Sequence, residues 1–562
     1  MGCPSPWGCA VGPKPLPRAS VPVKHRSLRP FSFHTTALRR PARTVASAVP
    51  TRRRHLFGRH HVNIRSVESH HTNTLVVRNR AVMPSMLTNF ATKGGDVTER
   101  LIHYYAERAK AASAVSIEGT AVEPWTAFIR GISAADDSKI KGLSKLAKAI
   151  KAPGARAALQ LIHGGRCVTP AMSGFATPMV SYVPRFCNHA ESVVLDVEDI
   201  EYIIDAHAQV ARRVREAGFD MLEIHGAHGY LISQFVSPLT NHREDAYGGS
   251  LENRLRMPLA VIRAIRKAVG DDFPISYRHN ADDGLPGGMT LEETLQLVNP
   301  LVDAGVDALH ISAGIGETKH LISPPSCTPE AWLSDAARQV KEAVRNRVPV
   351  ISVGRYVHPA IADQVIRDGK ADMVAFGRAL IAEPELINKY AENRLDSVRV
   401  CLGCNEGCTG HTGKLLDITC AINPRAGYEG KYPLGVKADK ALKVAVVGAD
   451  RWTAGGATAA QRGHSDATER GEDIGGLSTR VAAPFKDSLM ELVRYFRHEL
   501  TRLGEYPLRR DRHGPAASGA GVRHDLAGDG FASGDPALRR RTAQHDHGGT
   551  HPAGRSSPDI GC

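Results

Sequence analysis

Residues 199–227 read DIEYIIDAHAQVARRVREAGFDMLEIHGA, and the change of period inside this stretch decides the fold. Up to Gly218 the apolar residues recur at helical spacing; from Phe219 they collapse into one short run that stops at His225 and Gly226. A long amphipathic helix feeding a short buried strand is half of a parallel α/β repeat. The same strand pattern recurs as TLVVRNRAVM (74–83), SAVSIEGT (113–120), ARAALQLIHGG (155–165), FPISYRHN (273–280), VDALHISAG (306–314), VPVISVGR (348–355) and ADMVAFGRAL (371–380). Helical patterns lie between them, among them TERLIHYYAERAKA (98–111), RLRMPLAVIRAIRKAVG (254–270) and TLEETLQLVNPLVDAG (290–305). Eight such pairs predict an α/β fold, a (β/α)8 TIM barrel whose chemistry sits at the C-terminal ends of the strands. An open doubly wound sheet is the alternative.

The chain has 562 residues, 42% of them hydrophobic, which is room for a large core and roughly two to four domains. No window reaches the eighteen uninterrupted apolar residues of a membrane span, and the start lacks the apolar stretch of a secretory signal, so a cytoplasmic protein is expected. The net charge of +14 suggests a polyanion binder until it is mapped: residues 1–67 carry thirteen Lys or Arg and no acid, leaving +1 for everything else. Nucleic acid is therefore not an expected partner. The Arg-, Ser- and Pro-rich tail, residues 1–55, has no apolar period and is expected to be disordered; its composition is similar to an organellar transit peptide, which makes an organelle the alternative location.

The fourth strand closes on EIHGAHGYL, which gathers His225, His228 and Tyr230 at a strand-to-loop junction. Two imidazoles can donate hydrogen bonds to one oxygen, and a phenol can hand over a proton nearby. Packed loop residues, or a two-histidine metal half-site, would read the same. The other strand ends, VMPSMLTN (82–89), EGT (118–120), LQLIHGGR (159–166), SYRHN (276–280), SVGR (352–355) and AFGR (375–378), suit a phosphate-bearing cofactor on the barrel mouth, its phosphate between the last two Gly-Arg turns.

Directly after the last barrel helix, CLGCNEGCTGHTGKLLDITC (401–420) spaces Cys401, Cys404, Cys408 and Cys420 as C-x2-C-x3-C-x11-C. The chain's other cysteines are scattered, which argues against disulfides. Zinc commonly takes two C-x2-C pairs and only one exists here. Three close thiolates and one remote one suit a 4Fe-4S cluster. His411 reads as a loop residue rather than a ligand.

From about Leu56 to Gly448 the chain resembles the Old Yellow Enzyme family, in its iron–sulfur flavoprotein branch of 2,4-dienoyl-CoA and 2-enoate reductases. The resemblance is carried above all by HGAHGYLISQFVSPLTNHREDAYGGSLENR (225–254) and is shared by the cysteine spacing. It implies bound FMN, with Pro84, Ser85 and Met86 along the flavin, Gly119 beside it and Gln160 at the pyrimidine edge. Arg278 would face the N1–C2 carbonyl region, and Gly354, Arg355, Gly377 and Arg378 the phosphate. It further implies that His225 and His228 hold the carbonyl oxygen of an activated alkene while Tyr230 protonates it, with electrons arriving from NAD(P)H through the cluster. The expected partner is a small enoate, enoyl-CoA or enone; an oligomer is compatible with this. The dienoyl-CoA reductases commonly carry a carboxylate at the position of His228, so free enoates and cyclic enones stay open beside CoA esters. Amine dehydrogenases of the same branch carry a flavin-linked cysteine where this chain has Met86, which disfavours amine oxidation.

The family continues into a C-terminal FAD and NAD(P)H domain, and there the pattern breaks. ALKVAVVGAD (441–450) begins a nucleotide-binding strand, but Asp450 stands where the second glycine of the phosphate turn belongs. The family pattern returns in residues 469–504 and is lost from 505 onward, as two slips of reading frame, near Asp450 and after Gly504, would produce. FAD is therefore doubtful in this chain, and a decayed, non-catalytic product is the remaining alternative. The expected organisation is a barrel over 56–395, a cluster segment over 396–440, a partial Rossmann-like segment over 441–504 and a disordered tail over 505–562.

Overall fold

The computed structural model describes residues 62–64, 75–124, 128–183, 192–441 and 487–502. The basic N-terminal tail, the sequence around Asp450 and the tail after Gly504 lie outside them.

Eight parallel strands close into a barrel: β1 (Ala81–Met83), β2 (Ala114–Ala121), β3 (Arg156–Ile162), β4 (Met221–Gly226), β5 (Ile275–Asn280), β6 (Ala308–Ser312), β7 (Val350–Ser352) and β8 (Met373–Ala375). Each pairs with the next, and β8 returns to β1. The expected TIM barrel is thus the fold, and the open sheet is excluded. The expected first strand is corrected: Leu75–Val77 pairs antiparallel with Val62–Ile64, and only Ala81–Met83 enters the barrel. Between them the Asn79 side chain accepts from Ala81 N at 3.0 Å and donates to Ala111 O at 3.0 Å, a local bond that competes with a continuous strand.

The surrounding helices are α1 (Glu99–Ala109), α2 (Ile140–Lys151), α3 (Val197–Glu216), α4 (Leu251–Val269), α5 (Leu291–Asp303), α6 (Ser334–Ala343), α7 (Pro359–Arg367) and α8 (Leu386–Ala391). Four begin on a side chain that satisfies an otherwise unpaired amide: Thr98 for α1, Asp196 in a reciprocal box with Asp199 for α3, Ser250 for α4 and Thr290 for α5. The apolar stripe of α3 (Ile200, Ile203, Val210, Val214) is buried, which is why the period legible in the sequence becomes a helix lying on the barrel. Inside, Val82, Ala114, Ala158, Met221, Ala308, Ile351 and Met373 form a separate apolar cluster from seven of the eight strands. Polar side chains occupy the other end, a division typical of a barrel with a stability end and a chemical end.

The cysteine-bearing segment is bound to the barrel by its own charges. Arg108 of α1 meets Glu429 at 2.8 Å with both side chains buried, Arg100 pairs with Asp417, and Asn89 donates to Leu416 O at 2.7 Å. A further helix, Asp487–Arg502, contacts this region through Tyr495, over which the Arg399 guanidinium sits at 5.6 Å. Among the described residues no helix is long and apolar enough to cross a membrane.

Candidate active site at the barrel mouth

Strand register assembles the site. Gln160 of β3 stands opposite Glu223 of β4, His225 of β4 opposite Arg278 of β5, and Arg278 opposite His310 of β6. One step further along, Asn280 stands opposite Ser312. Four neighbouring strands, far apart in sequence, therefore deliver polar residues to the same layers.

Glu223 is held by Gln160 Nε2 at 2.7 Å and His310 Nδ1 at 2.7 Å. Although burial pushes its carboxyl up, His310 and Arg278 outweigh it and hold the group at about 2, so a carboxylate is locked inside the barrel. Arg278 is 6% exposed; burial lowers its guanidinium while Glu223 opposes this, and its Nε has no partner among the described residues. A buried cation with an unused donor fits an anionic or carbonyl group of a ligand.

After β4 the chain turns through two left-handed residues, His228 (φ 63°) and Gly229 (φ 76°). His228 N donates to Asn280 Oδ1 at 3.2 Å, which fixes this turn to the end of β5. Consequently three rings meet edge to face: the His225 centroid lies 4.9 Å from that of His228 and 4.8 Å from that of Tyr230. The imidazoles approach at 3.2 Å, His225 Nε2 to His228 Nδ1, and His228 Nε2 lies 2.7 Å from Ser312 Oγ. Burial first, then Arg278, lowers His225 to about 3 and His228 well below its usual value, so both rings are neutral. Burial raises the Tyr230 phenol above its usual range, so it keeps its proton. Phe128 lies edge-on to Tyr230, 5.8 Å between centroids. Neutral donors beside a protonated phenol can hold and protonate a substrate; among the described residues no group of three His, Cys, Asp or Glu forms here.

Of the expected cofactor residues, Pro84, Ser85 and Met86 follow β1, Gly119 lies in β2, and Gly354, Arg355, Gly377 and Arg378 follow β7 and β8. A Cβ on Gly354, whose φ is 152°, would meet Leu333 N at 3.1 Å, which favours glycine there, and one on Gly377 would crowd Met86 Sδ at 3.1 Å. Arg355 spends Nη1 on Thr328 O at 2.8 Å and leaves Nε without a partner among the described residues. These donors fit a phosphate between adjacent strand ends. Arg378 departs from the simple expectation: its Nη1 donates to Asn405 Oδ1 at 2.5 Å, reaching the cysteine segment. Glu223 and His310 were not singled out in the sequence, although a charged residue inside the apolar run FDMLEIHGA is a visible signal.

The four cysteines are not drawn into a ligand group by the structure. All are free thiols; Cys404 is exposed and the other three are half-buried. Cys401, Cys408 and Cys420 do lie near enough to repel one another as thiolates, and Arg378 acts on Cys401 from the barrel side. Backbone amides of Gly403, and of Ile422 and Asn423, bond the sulfurs of Cys401 and Cys420 respectively. Sulfurs that receive amide hydrogen bonds and a nearby cation suit a cluster held by thiolates. His411 Nδ1 lies 3.1 Å from Asp417 O, a partner within its own loop. A cavity of about 750 Å3 lies elsewhere, bordered by Glu383, Arg399, Tyr495 and Arg502.

The closed parallel barrel thus carries a buried guanidinium, two neutral imidazoles and a protonated phenol at its mouth. Residues 72–397 match the NADH:flavin oxidoreductase / NADH oxidase family, and the chain belongs to it. It is 40% identical over 442 residues to an NADH oxidase of Thermoanaerobacter brockii, covering 76% of this chain and 67% of that one. A cinnamate reductase of Clostridium sporogenes is 33% identical, covering 76% and 68%. Among solved structures, 2-naphthoyl-CoA reductase superposes with a TM-score of 0.72 at 31% identity, covering 77% and 69%. The chain thus spans about two thirds of the length of these relatives.

Proposed function

We propose that the chain is a flavin-dependent ene-reductase that saturates a C=C bond conjugated to a carbonyl group, in an enoate, an enoyl-CoA ester or an enone. The observation that carries this reading is the neutral His225–His228 pair beside protonated Tyr230 at the end of β4. Family membership and the cinnamate- and naphthoyl-CoA-reducing relatives support the class of chemistry.

Bound FMN would supply the hydride that adds to one carbon of the substrate. The remaining work belongs to the chain. His225 and His228 donate hydrogen bonds to the carbonyl oxygen, where negative charge grows, and neutral donors in a dry site do this without ionising. Tyr230 delivers its phenolic proton to the other carbon. Arg278, bracketed by Glu223, offers positive charge to the cofactor's pyrimidine side; Gln160 orients there through its bond to Glu223. Pro84, Ser85, Met86 and Gly119 line the ring, and Gly354, Arg355, Gly377 and Arg378 hold the phosphate.

Cys401, Cys404, Cys408 and Cys420 would hold a 4Fe-4S cluster, which would supply single-electron transfer. In this reading residues 56–395 form the cofactor-bearing barrel, 396–440 the cluster segment and 441–504 the remnant of a nucleotide-binding segment. Amine oxidation fits less well, because Met86 offers no sulfur nucleophile for a flavin link.

The test is a substrate screen on anaerobically prepared, FMN-loaded chain reduced with dithionite. Saturation of at least one of trans-cinnamate, crotonyl-CoA and 2-cyclohexenone is expected. Oxidation of amines with no alkene reduced would contradict the reading. For the cysteines, Cys404→Ser should remove iron and acid-labile sulfide while FMN stays bound; stoichiometric zinc in the parent would contradict the cluster.

A further inference from the structure

Two neutral imidazoles that both donate to one substrate oxygen must not spend those protons on each other, yet His225 Nε2 and His228 Nδ1 stand 3.2 Å apart. The tautomer of His225 is fixed: Ala227 N donates to its Nδ1 at 3.2 Å, so its proton is on Nε2. In the free site that proton goes to His228 Nδ1, which must be bare. His228 then carries its proton on Nε2 and gives it to Ser312 Oγ, 2.7 Å away. With a substrate oxygen between the rings, His228 has to present Nδ1–H, so Nε2 becomes the acceptor.

We propose that Ser312 is the positioning residue that allows this exchange. Its hydroxyl can accept from His228 Nε2–H or, rotated, donate to the bare Nε2, so neither tautomer leaves a buried nitrogen unpaired. The two tautomers differ only in which nitrogen of one ring carries its single proton, so the charge of the site does not change. Arg278 Nη2 donates to Ser312 Oγ at 3.3 Å and can do so in both states. The serine is 2% exposed and stands at the C-terminal end of β6, opposite Asn280, so no bulk water substitutes for it. A chain of donors then runs Arg278, Ser312, His228, substrate oxygen, each polarising the next. No sequence signal marked Ser312, because the partner is 84 residues away and one serine in an apolar run is unremarked.

This inference rests on the proposed role of His225 and His228 as oxygen-binding donors, and the test separates the two. FMN-loaded chain is titrated with 4-hydroxybenzaldehyde, whose phenolate accepts two hydrogen bonds, and the long-wavelength absorbance of the phenolate–flavin complex is followed. Ser312→Ala should weaken binding roughly tenfold, the scale of leaving one buried imidazole nitrogen unpaired, with the flavin spectrum of the free protein unchanged. Ser312→Cys, similar in volume and a poor donor, should do the same if the alanine variant fails to fold. In a His228→Asn background, where an amide donor needs no tautomer, Ser312→Ala should change binding less than twofold. Equal weakening in both backgrounds, or none in the first, overturns the role of Ser312. No phenolate complex in the parent, or an unchanged one in His228→Ala, overturns instead the reading on which it rests.

Discussion

At the residue scale, the site depends on which groups stay neutral. Tyr230 is held protonated by burial, so Tyr230→Phe removes the proposed proton donor while leaving the proposed oxygen-binding pair in place. Its reduction by dithionite should be unchanged and its oxidation by an enoate slowed ~100-fold, the scale of a lost general acid. Unchanged oxidation kinetics in stopped flow would remove Tyr230 from the mechanism. The sign of the pH effect follows from His225, whose value falls from about 6.5 in the unfolded chain to about 3 here. Its contribution to stability is complete above about pH 6.5 and is lost as the pH falls toward 3, because the unfolded state takes up the proton first. Phenolate binding should accordingly show no histidine ionisation between roughly pH 6 and 8; a step there that His225→Asn abolishes would contradict the neutral pair.

At the element scale, the cysteine segment and the helix Asp487–Arg502 are attached by a few charged contacts. Arg108 and Glu429 are 0% and 3% exposed in their side chains, so removing one partner strands a buried charge. Glu429→Ala should cost about 3 to 5 kcal/mol in urea unfolding, and a loss below about 1 kcal/mol would show that the pair is wetter than it looks. His358, between Glu330 at 2.6 Å and Glu491 of the last helix at 3.1 Å, is raised to about 10, mainly by those two hydrogen bonds. That contact is present below the unfolded value of about 6.5 and is lost as the pH rises through 10. Amides of residues 487–502 should therefore exchange faster near pH 10, by hydrogen exchange, and His358→Ala should remove the pH dependence. The helices were legible because their apolar residues recur at helical spacing, and the caps Thr98, Asp196, Ser250 and Thr290 that start four of them are local. The split of the first strand at Asn79 was not, since TLVVRNRAVM is β-prone throughout and the break is made by a side-chain bond to Ala111, thirty-two residues on. Likewise His225, His228 and Tyr230 could be picked from one short stretch, which also holds Glu223, whereas His310 and Ser312 join them only through the register of β4, β5 and β6.

At the scale of the whole molecule, a barrel that carries its own acid, donors and cofactor contacts should act independently of the nucleotide-binding sequence after it. By the sequence resemblance Asp450 replaces the second glycine of a phosphate turn, so NADH-driven turnover with stoichiometric FAD is expected to be weak; efficient NADH turnover with FAD bound would contradict this. Dithionite supplies electrons to the proposed chemistry without that segment. The most direct measurement is a single anaerobic turnover: FMN-loaded chain, reduced with one equivalent of dithionite per flavin and freed of excess, is mixed with trans-cinnamate, crotonyl-CoA or 2-cyclohexenone. The account predicts return of the oxidised flavin spectrum together with about one saturated product per flavin for at least one of these. A chain that stays reduced with all three, yet is oxidised at once by dioxygen, would contradict the assignment of this barrel mouth to alkene reduction.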